Sequence, residues 1–380
     1  MPDPTVQLLC RLVATNSINP VLVPGAVGEA EIARVIAEDM RAIGMRIAIE
    51  EVAPGRPNVV GILEGREAGR TLMFCGHIDT VGVTGMKAPF EPVEKEGKLY
   101  GRGAQDMKGG VAAMIGAARK LVETGGLAAG RLLIAAVADE EYASLGAQAL
   151  AQKWQAAAAV VTEPTDLVIG IGHKGFVWIE IEVKGRAAHG SRPAEGRDAI
   201  FRTGRVLFRL EKLDRELQAK PRHDTLGTGS LHAAFINGGR ELSVYPDHCV
   251  LQIERRTISG ETGATILQEV EAILTSLRAE DPEFEASARL MFERSSYQIS
   301  ADHELPSLLG ISLQRLGRSA ARGGLTFWTD AAILGEAGIP TVIFGPGGAG
   351  LHSVEEYVKI DEVLACRDAL VELAREFCIQ

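Results

Sequence analysis

Two histidines and five acidic residues stand where apolar runs of this sequence give way to glycine or to a polar turn. His77 and Asp79 form G-H-I-D-T directly after the apolar Leu72 to Cys75, and Asp106 lies in G-R-G-A-Q-D-M-K-G-G. Glu140 and Glu141 close the run Leu132 to Ala138, Glu163 follows Val160 and Val161, and His352 lies in G-P-G-G-A-G-L-H-S. In extended chain, residues two apart face the same side, so of His77 and Asp79 one can bind a metal while the other orients it. Imidazole and carboxylate donors without thiolate suit zinc and neighbouring divalent ions, and two ions joined by one carboxylate can activate a water and polarise a carbonyl together. Such a hydrolytic centre needs several ligands and a separate base, and both are available here.

Singly, each piece has an ordinary alternative. An H-x-D at a strand end is commonly a local hydrogen-bonded pair, adjacent acids are usually solvated, Asp106 could be only a helix cap and His352 only a loop residue. Their joint occurrence at strand ends, with both histidines in glycine-flanked turns, carries the metal reading, because open α/β sheets build their sites at the carboxyl ends of strands.

The elements that have to position these groups are legible from periodicity. Helices are expected from Asp3, with Pro4 at a tolerated first-turn position, over Glu29 to Ile43 and over Met107 to Glu123. Apolar strands are expected at Asn58 to Leu63, Thr71 to Cys75, Arg131 to Ala138, Ala157 to Val161 and Thr341 to Phe344, and continuous apolar strands alternating with helices imply a sheet covered on both faces. After Gly175 the pattern changes: Ile179, Ile181 and Val183 alternate with Glu180, Glu182 and Lys184, as in a half-exposed antiparallel strand. A helix over Asp198 to Leu217, strands at Leu231 to Ile236 and His248 to Arg255, and a helix over Thr262 to Ala279 complete a small α+β unit. From about Ala288 the α/β character returns and closes with a helix over Asp361 to Phe377, capped by Asp361. The expected fold is therefore α/β in two domains: residues 1–174 and 288–380 form the larger, and residues 175–287 are inserted into it.

The 380 residues exceed what one core usually holds, in keeping with two domains. A net charge of −10 spread over mixed signs provides no basic stripe for nucleic acid. Five scattered cysteines without a C-x-x-C pair argue against a disulfide framework or a cysteine zinc site and fit a reducing compartment. No basic segment leads into a long apolar run near Met1, and no apolar run is long enough for a bilayer, so a cytoplasmic protein is expected.

Several stretches resemble signatures of the M20 metallopeptidase family, the group of acetylornithine deacetylase, succinyl-diaminopimelate desuccinylase and carboxypeptidase G2. They are F-C-G-H-I-D-T-V, L-Y-G-R-G-A-Q-D-M-K-G-G, A-D-E-E, T-E-P-T, A-A-H-G-S-R-P-A-E-G-R-D-A-I and F-G-P-G-G-A-G-L-H-S-V-E-E-Y-V. The resemblance implies a two-metal amidohydrolase in which Asp106 bridges two ions, His77 and Glu163 complete one site, and Glu141 and His352 complete the other. It further implies that Asp79 supports His77, a pairing common behind metal-bound histidines, and that Glu140 is the general base. The ions would be zinc, with cobalt or manganese as alternatives. The inserted unit would be a lid and homodimerisation domain, with His189 reaching the neighbouring subunit's site to stabilise the oxyanion. Asn237 and Arg256 would bind substrate there, Arg256 gripping a carboxylate with its fork of donors; Arg255 is its competitor. The substrate would be an N-acyl amino acid.

An exopeptidase acting on dipeptides or a carboxy-terminal residue uses the same metals and water and is the rival within enzymes. Gln105 stands where the family often has a small residue or cysteine, and F-W-T-D-A around Asp330 differs from the desuccinylase segment. Phe327 and Trp328 fit either an acyl pocket or core. G-I-G-H-K-G at Gly170, Gly172 and Gly175 matches a dinucleotide fingerprint, but a strand follows where a helix is required, which excludes a nicotinamide cofactor. A catalytically silent scaffold on the same fold should have lost ligands or base, and none is missing here.

Overall fold

The computed structural model describes residues 3–220 and 222–379. In chain order the first elements are helices α1 (Pro4–Ala14) and α2 (Ala30–Ile43), strands β1 (Arg46–Ala53), β2 (Arg56–Glu64) and β3 (Glu67–His77), helix α3 (Gly109–Glu123), and strands β4 (Ala129–Val137), β5 (Ala158–Val161) and β6 (Ile169–His173). Then come β7 (Gly175–Lys184), α4 (Ala199–Ala219), β8 (Ser230–Gly238), β9 (His248–Thr257), α5 (Gly263–Glu280) and β10 (Glu285–Arg294). The chain finishes with β11 (Thr341–Ile343) and α6 (Ile360–Cys378). Two compact units result. Among the described residues the first holds those up to Ile171, Ile299–Gly323 and those from Thr329 onward; the second holds those of Gly172–Gln298 with Gly324–Trp328.

The sheet of the first unit has the order β1-β2-β4-β3-β5-β11-β6. Its middle strands β4, β3, β5 and β11 are mutually parallel, with His77 opposite Val137, and Cys75 and Ile343 both opposite Val161. Parallel strands are covered on both faces and so read as unbroken apolar runs; Leu132 to Val137 and Leu72 to Cys75 are fully buried. Because these strands point the same way, they end at one edge: His77 is itself the last residue of β3, Glu140 and Glu141 follow Val137, Glu163 follows Val161, and His352 lies on the longer loop after Ile343. Two short antiparallel strands, Lys98–Tyr100 and Tyr357–Lys359, pair with each other and bring the loops carrying Asp106 and His352 side by side.

Helix α3 is buried along its whole first half, from Gly109 to Ala118, as a helix packed on all sides must be. It starts two residues later than the expected Met107, because Asp106 and Met107 have non-helical backbone. Two glycines answer to packing, Gly110 in α3 and Gly345 after β11: a Cβ on Gly110 would lie 2.0 Å from the carbonyl oxygen of Thr162, and one on Gly345 would lie 2.4 Å from the carbonyl oxygens of both Thr162 and Glu163. The segment carrying Glu163 is thus gripped between two glycines.

The second unit is a four-stranded antiparallel sheet, order β8-β9-β7-β10, with a core formed by Ile179, Ile181 and Val183, by Leu251 and Ile253, and by Val206, Leu210, Val270 and Leu274 from α4 and α5. The alternation expected for β7 places these apolar residues on the helix-covered face. The unit begins at 172 and ends at 298, beyond the expected 287, because β10 pairs along β7 and belongs to this sheet. At the chain's end, Lys359 and not Asp361 is the cap of α6; Asp361 lies in its first turn, where an acid still favours the helix dipole. Among the described residues no helix is long and apolar enough to cross a membrane.

Replacing Gly110 by alanine forces a methyl against an immobile backbone oxygen. Gly110→Ala should cost about 1–3 kcal/mol, the usual penalty for overpacking, seen as a lower midpoint in denaturant titration.

Candidate metal centre

The site is assembled from five backbone segments of the first unit. His77 ends β3 and is buried; its Nδ1 lies 3.0 Å from the carbonyl oxygen of Asp79, and its Nε2 lies 3.0 Å from Oδ1 of Asp106 and 3.8 Å from Oε1 of Glu163. His352, held at a positive φ of 58° and about half exposed, places Nε2 3.2 Å from Oδ2 of Asp106 and 3.2 Å from Oε2 of Glu141. The two oxygens of the one Asp106 carboxylate therefore face two different imidazoles. The donor atoms fall into two groups, each compact enough for one ion: His77, Asp106 and Glu163, and Asp106, Glu141 and His352.

Two further carboxylates hold the loops that carry these groups. Asp79 accepts the backbone N–H groups of Glu140 at 3.1 Å and Glu141 at 3.2 Å. Its side chain is 3.5 Å from Nδ1 of His77, so it orients the histidine mainly through its own carbonyl and fixes the Glu140–Glu141 turn with its carboxylate. Glu356, buried, accepts the N–H groups of Gly103, Gln105 and Asp106 at 3.0, 2.9 and 3.1 Å and pairs with Arg102 at 2.6 Å. Arg102 also donates to the carbonyl of Ser353 at 2.9 Å, which ties the His352 loop to the Asp106 loop. Charge-assisted bonds of this sort are the stronger kind.

The electrostatics follow from packing acids together. Burial pushes the Glu140 carboxyl well above its ordinary range; His77 pulls it back, while Glu163, Asp330 and Glu141 add to the rise. Burial raises Glu163 in the same way. For Asp106, hydrogen bonds from His352 and His77 overcome the effect of burial and hold its carboxyl well below the usual range. Burial alone would depress His77, yet Glu163, Asp106 and Asp79 keep it well above normal. His352, bonded to Asp106 and Glu141, is pushed up to about 10.

These residues fit divalent ions. The donors are imidazole and carboxylate only, one carboxylate serves both groups, and Oε1 of Glu141 is buried with no hydrogen-bond partner, as expected of an atom meant for a cation.

In the second unit, His189 is exposed, with Nδ1 2.8 Å from Oγ of Ser191 and accepting the Ser191 N–H at 3.2 Å, which fixes the ring. Asn237 is exposed on the outermost strand β8, opposite Val250. The two arginines part company. Arg255 is fully buried against Glu261 at 2.6 Å, whereas Arg256 is half-buried, held by Glu254 at 2.7 Å and stacked over Phe176 with 5.3 Å to the ring centroid. Trp328 joins an aromatic group with Phe176 and His173, at centroid distances of 6.3 and 6.0 Å, and Phe327 is half-buried. The structure thus brings together His77, Asp79, Asp106, Glu140, Glu141, Glu163 and His352 within the first unit, and places His189, Asn237 and Arg256 in the second.

The description of peptidase family M20/M25/M40 matches residues 73–376 of the chain. The chain belongs to that family. It is 31% identical over 342 residues to the acetylornithine deacetylase of Myxococcus xanthus, covering 87% of this chain and 86% of that protein. It is 28% identical over 376 residues to the N-formyl-4-amino-5-aminomethyl-2-methylpyrimidine deformylase of Bacillus subtilis, covering 90% and 88% respectively. A tripeptidase from Staphylococcus aureus has the same fold, with a TM-score of 0.83 at 21% identity over 99% of this chain and 98% of that one. Membership makes this M20/M25/M40 chain a hydrolase of the metal-binding kind.

Sequence reasoning left Glu356, Arg102 and Asp330 unassigned. Glu356 lies inside V-E-E-Y, where nothing local distinguishes it from Glu355. Asp330 is buried, and its charge contributes to the upward shifts of Glu140 and Glu163.

A cation entering between Asp106 and His352 has to displace the proton that His352 retains up to about pH 10, and raised carboxyls release theirs in the same direction. Metal affinity of chelator-stripped protein should therefore climb as pH rises, about ten-fold per unit for each proton displaced. Competition with a chromophoric chelator at several pH values between 6 and 9 checks this, and a flat profile contradicts it.

Proposed function

We propose that the protein is a two-metal deacylase that removes a small acyl group from the amine of an N-acyl amino acid. The observation that carries this reading is the Asp106 carboxylate with one oxygen toward His77 and the other toward His352. In this reading His77, Asp106 and Glu163 hold one ion, and Asp106, Glu141 and His352 hold the other. Zinc fits best, with cobalt or manganese as alternatives. When bound, the ions would supply Lewis acidity toward the attacking water and the scissile carbonyl.

Glu140 takes the proton of the attacking water on its carboxylate and passes it to the leaving nitrogen. Its carboxyl lies within electrostatic reach of His77, Glu163 and Glu141, which places it at the two donor groups. Asp79 keeps that carboxylate in place through the Glu140 and Glu141 amides. Arg256 would grip the substrate carboxylate; its half-buried guanidinium is already oriented by Glu254 and Phe176, whereas the buried Arg255 serves structure. Asn237 would add a polar contact.

The two relatives named above both carry, in their names, removal of a small acyl group from an amine, acetyl in one and formyl in the other. That shared chemistry supports deacylation over exopeptidase action.

We assign the second unit as a lid that also pairs two copies of the chain. Strand β8 is an edge with Phe235 and Ile236 exposed, and α4 exposes Phe201 and Phe208, seven residues apart and so on one helix face. An edge strand with adjacent apolar side chains suits a two-fold partner. His189 of one copy would then donate to the oxyanion in the other.

The test is bound metal per chain together with amine release from N-acetyl and N-formyl amino acids and from dipeptides, before and after chelation. Chelator-sensitive release from the acyl substrates supports the reading. Release from dipeptides alone favours an exopeptidase, and metal without turnover on any substrate favours a silent scaffold. Glu140→Gln should lower turnover by about 10²–10⁴-fold with metal content unchanged. His189→Ala should lower it by about 10²–10³-fold, and mixed dimers with a Glu140→Gln copy should recover part of the activity if His189 works across the dimer.

A further inference from the structure

Behind the turn that carries Glu140 and Glu141, within the first unit, runs a hydrogen-bonded chain of three acids, one arginine and one asparagine, of which only Asp79 has so far been given a role. Glu29 accepts from Arg56 through both of its oxygens, including Arg56 Nε to Oε2 at 2.9 Å. Arg56 Nη1 donates to Oδ1 of Asp139 at 2.6 Å. The side-chain amide of Asn19 then donates to two different carboxylates, Oδ1 of Asp139 at 3.0 Å and Oδ2 of Asp79 at 2.8 Å. All five residues are buried. Three buried carboxylates are thus interleaved with one cation and one amide, and without those two the acids would repel each other out of register.

The chain ends on function. Asp79, its last member, holds the N–H groups of Glu140 and Glu141, and Asp139 precedes them in sequence at a positive φ of 72°, a conformation non-glycine residues seldom adopt. Asp139 is part of the turn and accepts the Leu145 N–H through Oδ2 at 3.4 Å, Asp79 accepts the N–H groups of Glu140 and Glu141, and Asn19 donates to both acids. Asn19 is itself anchored by its N–H to the carbonyl of Thr80 at 2.9 Å and by accepting the Val21 N–H at 3.0 Å, which aims its NH₂ at the two acids.

We propose that Asn19 and Arg56 are positioning residues for hydrolysis, acting through Asp139 and Asp79 to hold the Glu140–Glu141 turn in its working geometry. The catalytic part of this rests on the reading of Glu140 as the base; the positional part does not.

The experiment is amide hydrogen exchange on chelator-stripped protein, followed by steady-state kinetics on the metal-loaded protein, for Asn19→Ala and Arg56→Lys. In Asn19→Ala, amides of the 139–146 turn should exchange at least about ten-fold faster while those of β4 and α3 keep their wild-type rates. With the metals restored, kcat should fall by about 10–100-fold with KM within about two-fold of wild type. Arg56→Lys, which keeps the charge but loses the fork, should show the same pattern more weakly. If Asn19→Ala does not fold, Arg56→Lys alone decides. Unchanged exchange in the turn overturns the proposal, as does acceleration spread evenly over β4 and α3, the mark of plain destabilisation. If the wild type hydrolyses nothing offered, the deacylase reading fails, while the exchange data still decide the positioning.

Discussion

Glu140, Glu141, Glu163 and Asp106 converge on one small volume, and like charges that are partly withdrawn from water repel strongly. Their convergence has to be imposed by something that cannot relax, and here that is the backbone. Each acid stands just past a strand end or just before a buried helix. The N–H groups of those segments are collected by two other buried carboxylates: Asp79 takes those of Glu140 and Glu141, and Glu356 takes those of Gln105 and Asp106. The arrangement is prestressed toward positive charge, with His77 and His352 supplying only part of it. The parallel strands and the glycine contacts at Thr162 and Glu163 hold the segments that carry these acids.

The sheet makes this possible because four neighbouring parallel strands end together. A strand is a poor place to vary a side chain and a good place to fix one, since each residue's direction is set by the ladder. The second unit has the opposite character. Its antiparallel sheet covers one face with α4 and α5 and leaves polar and aromatic residues on the other.

Much of the site was legible because its chemistry coincides with strong local signals. His77, Glu141 and Glu163 each follow an apolar run, and Asp106 and His352 sit in glycine-rich loops, so type and context agree. Asn19, Arg56 and Glu356 were not legible: each works through partners far along the chain, Asn19 through residues 60 and 120 positions away, and no periodicity encodes such a bond. The limit of the inserted unit was misplaced for a related reason. β10 pairs along β7 as an edge strand of the smaller sheet, with a register shift between Leu290 and Phe292 and Met291 exposed, and a cross-strand pairing of that kind leaves no mark in local sequence. Asp361 looked like a cap because it is the first acid of the helix, yet the backbone turns helical one residue before it.

The position of β11 in the sheet bears on how the protein is made. Residues 341–343 lie between β5, residues 158–161, and β6, residues 169–173, so two strands close in sequence are separated in space by one that is synthesised much later. During translation the gap stays open until most of the chain has left the ribosome, and Glu356 and His352 arrive later still. The nascent N-terminal half holds its acids without the clamp or the second imidazole, with two unpaired strand edges exposed. Long-range closure of this kind is slow because the loop's entropy is lost before the pairing is gained. The four strands and two helices of the inserted unit all lie within residues 172–298 and so leave the ribosome before β11, with only its segment Gly324–Trp328 to follow.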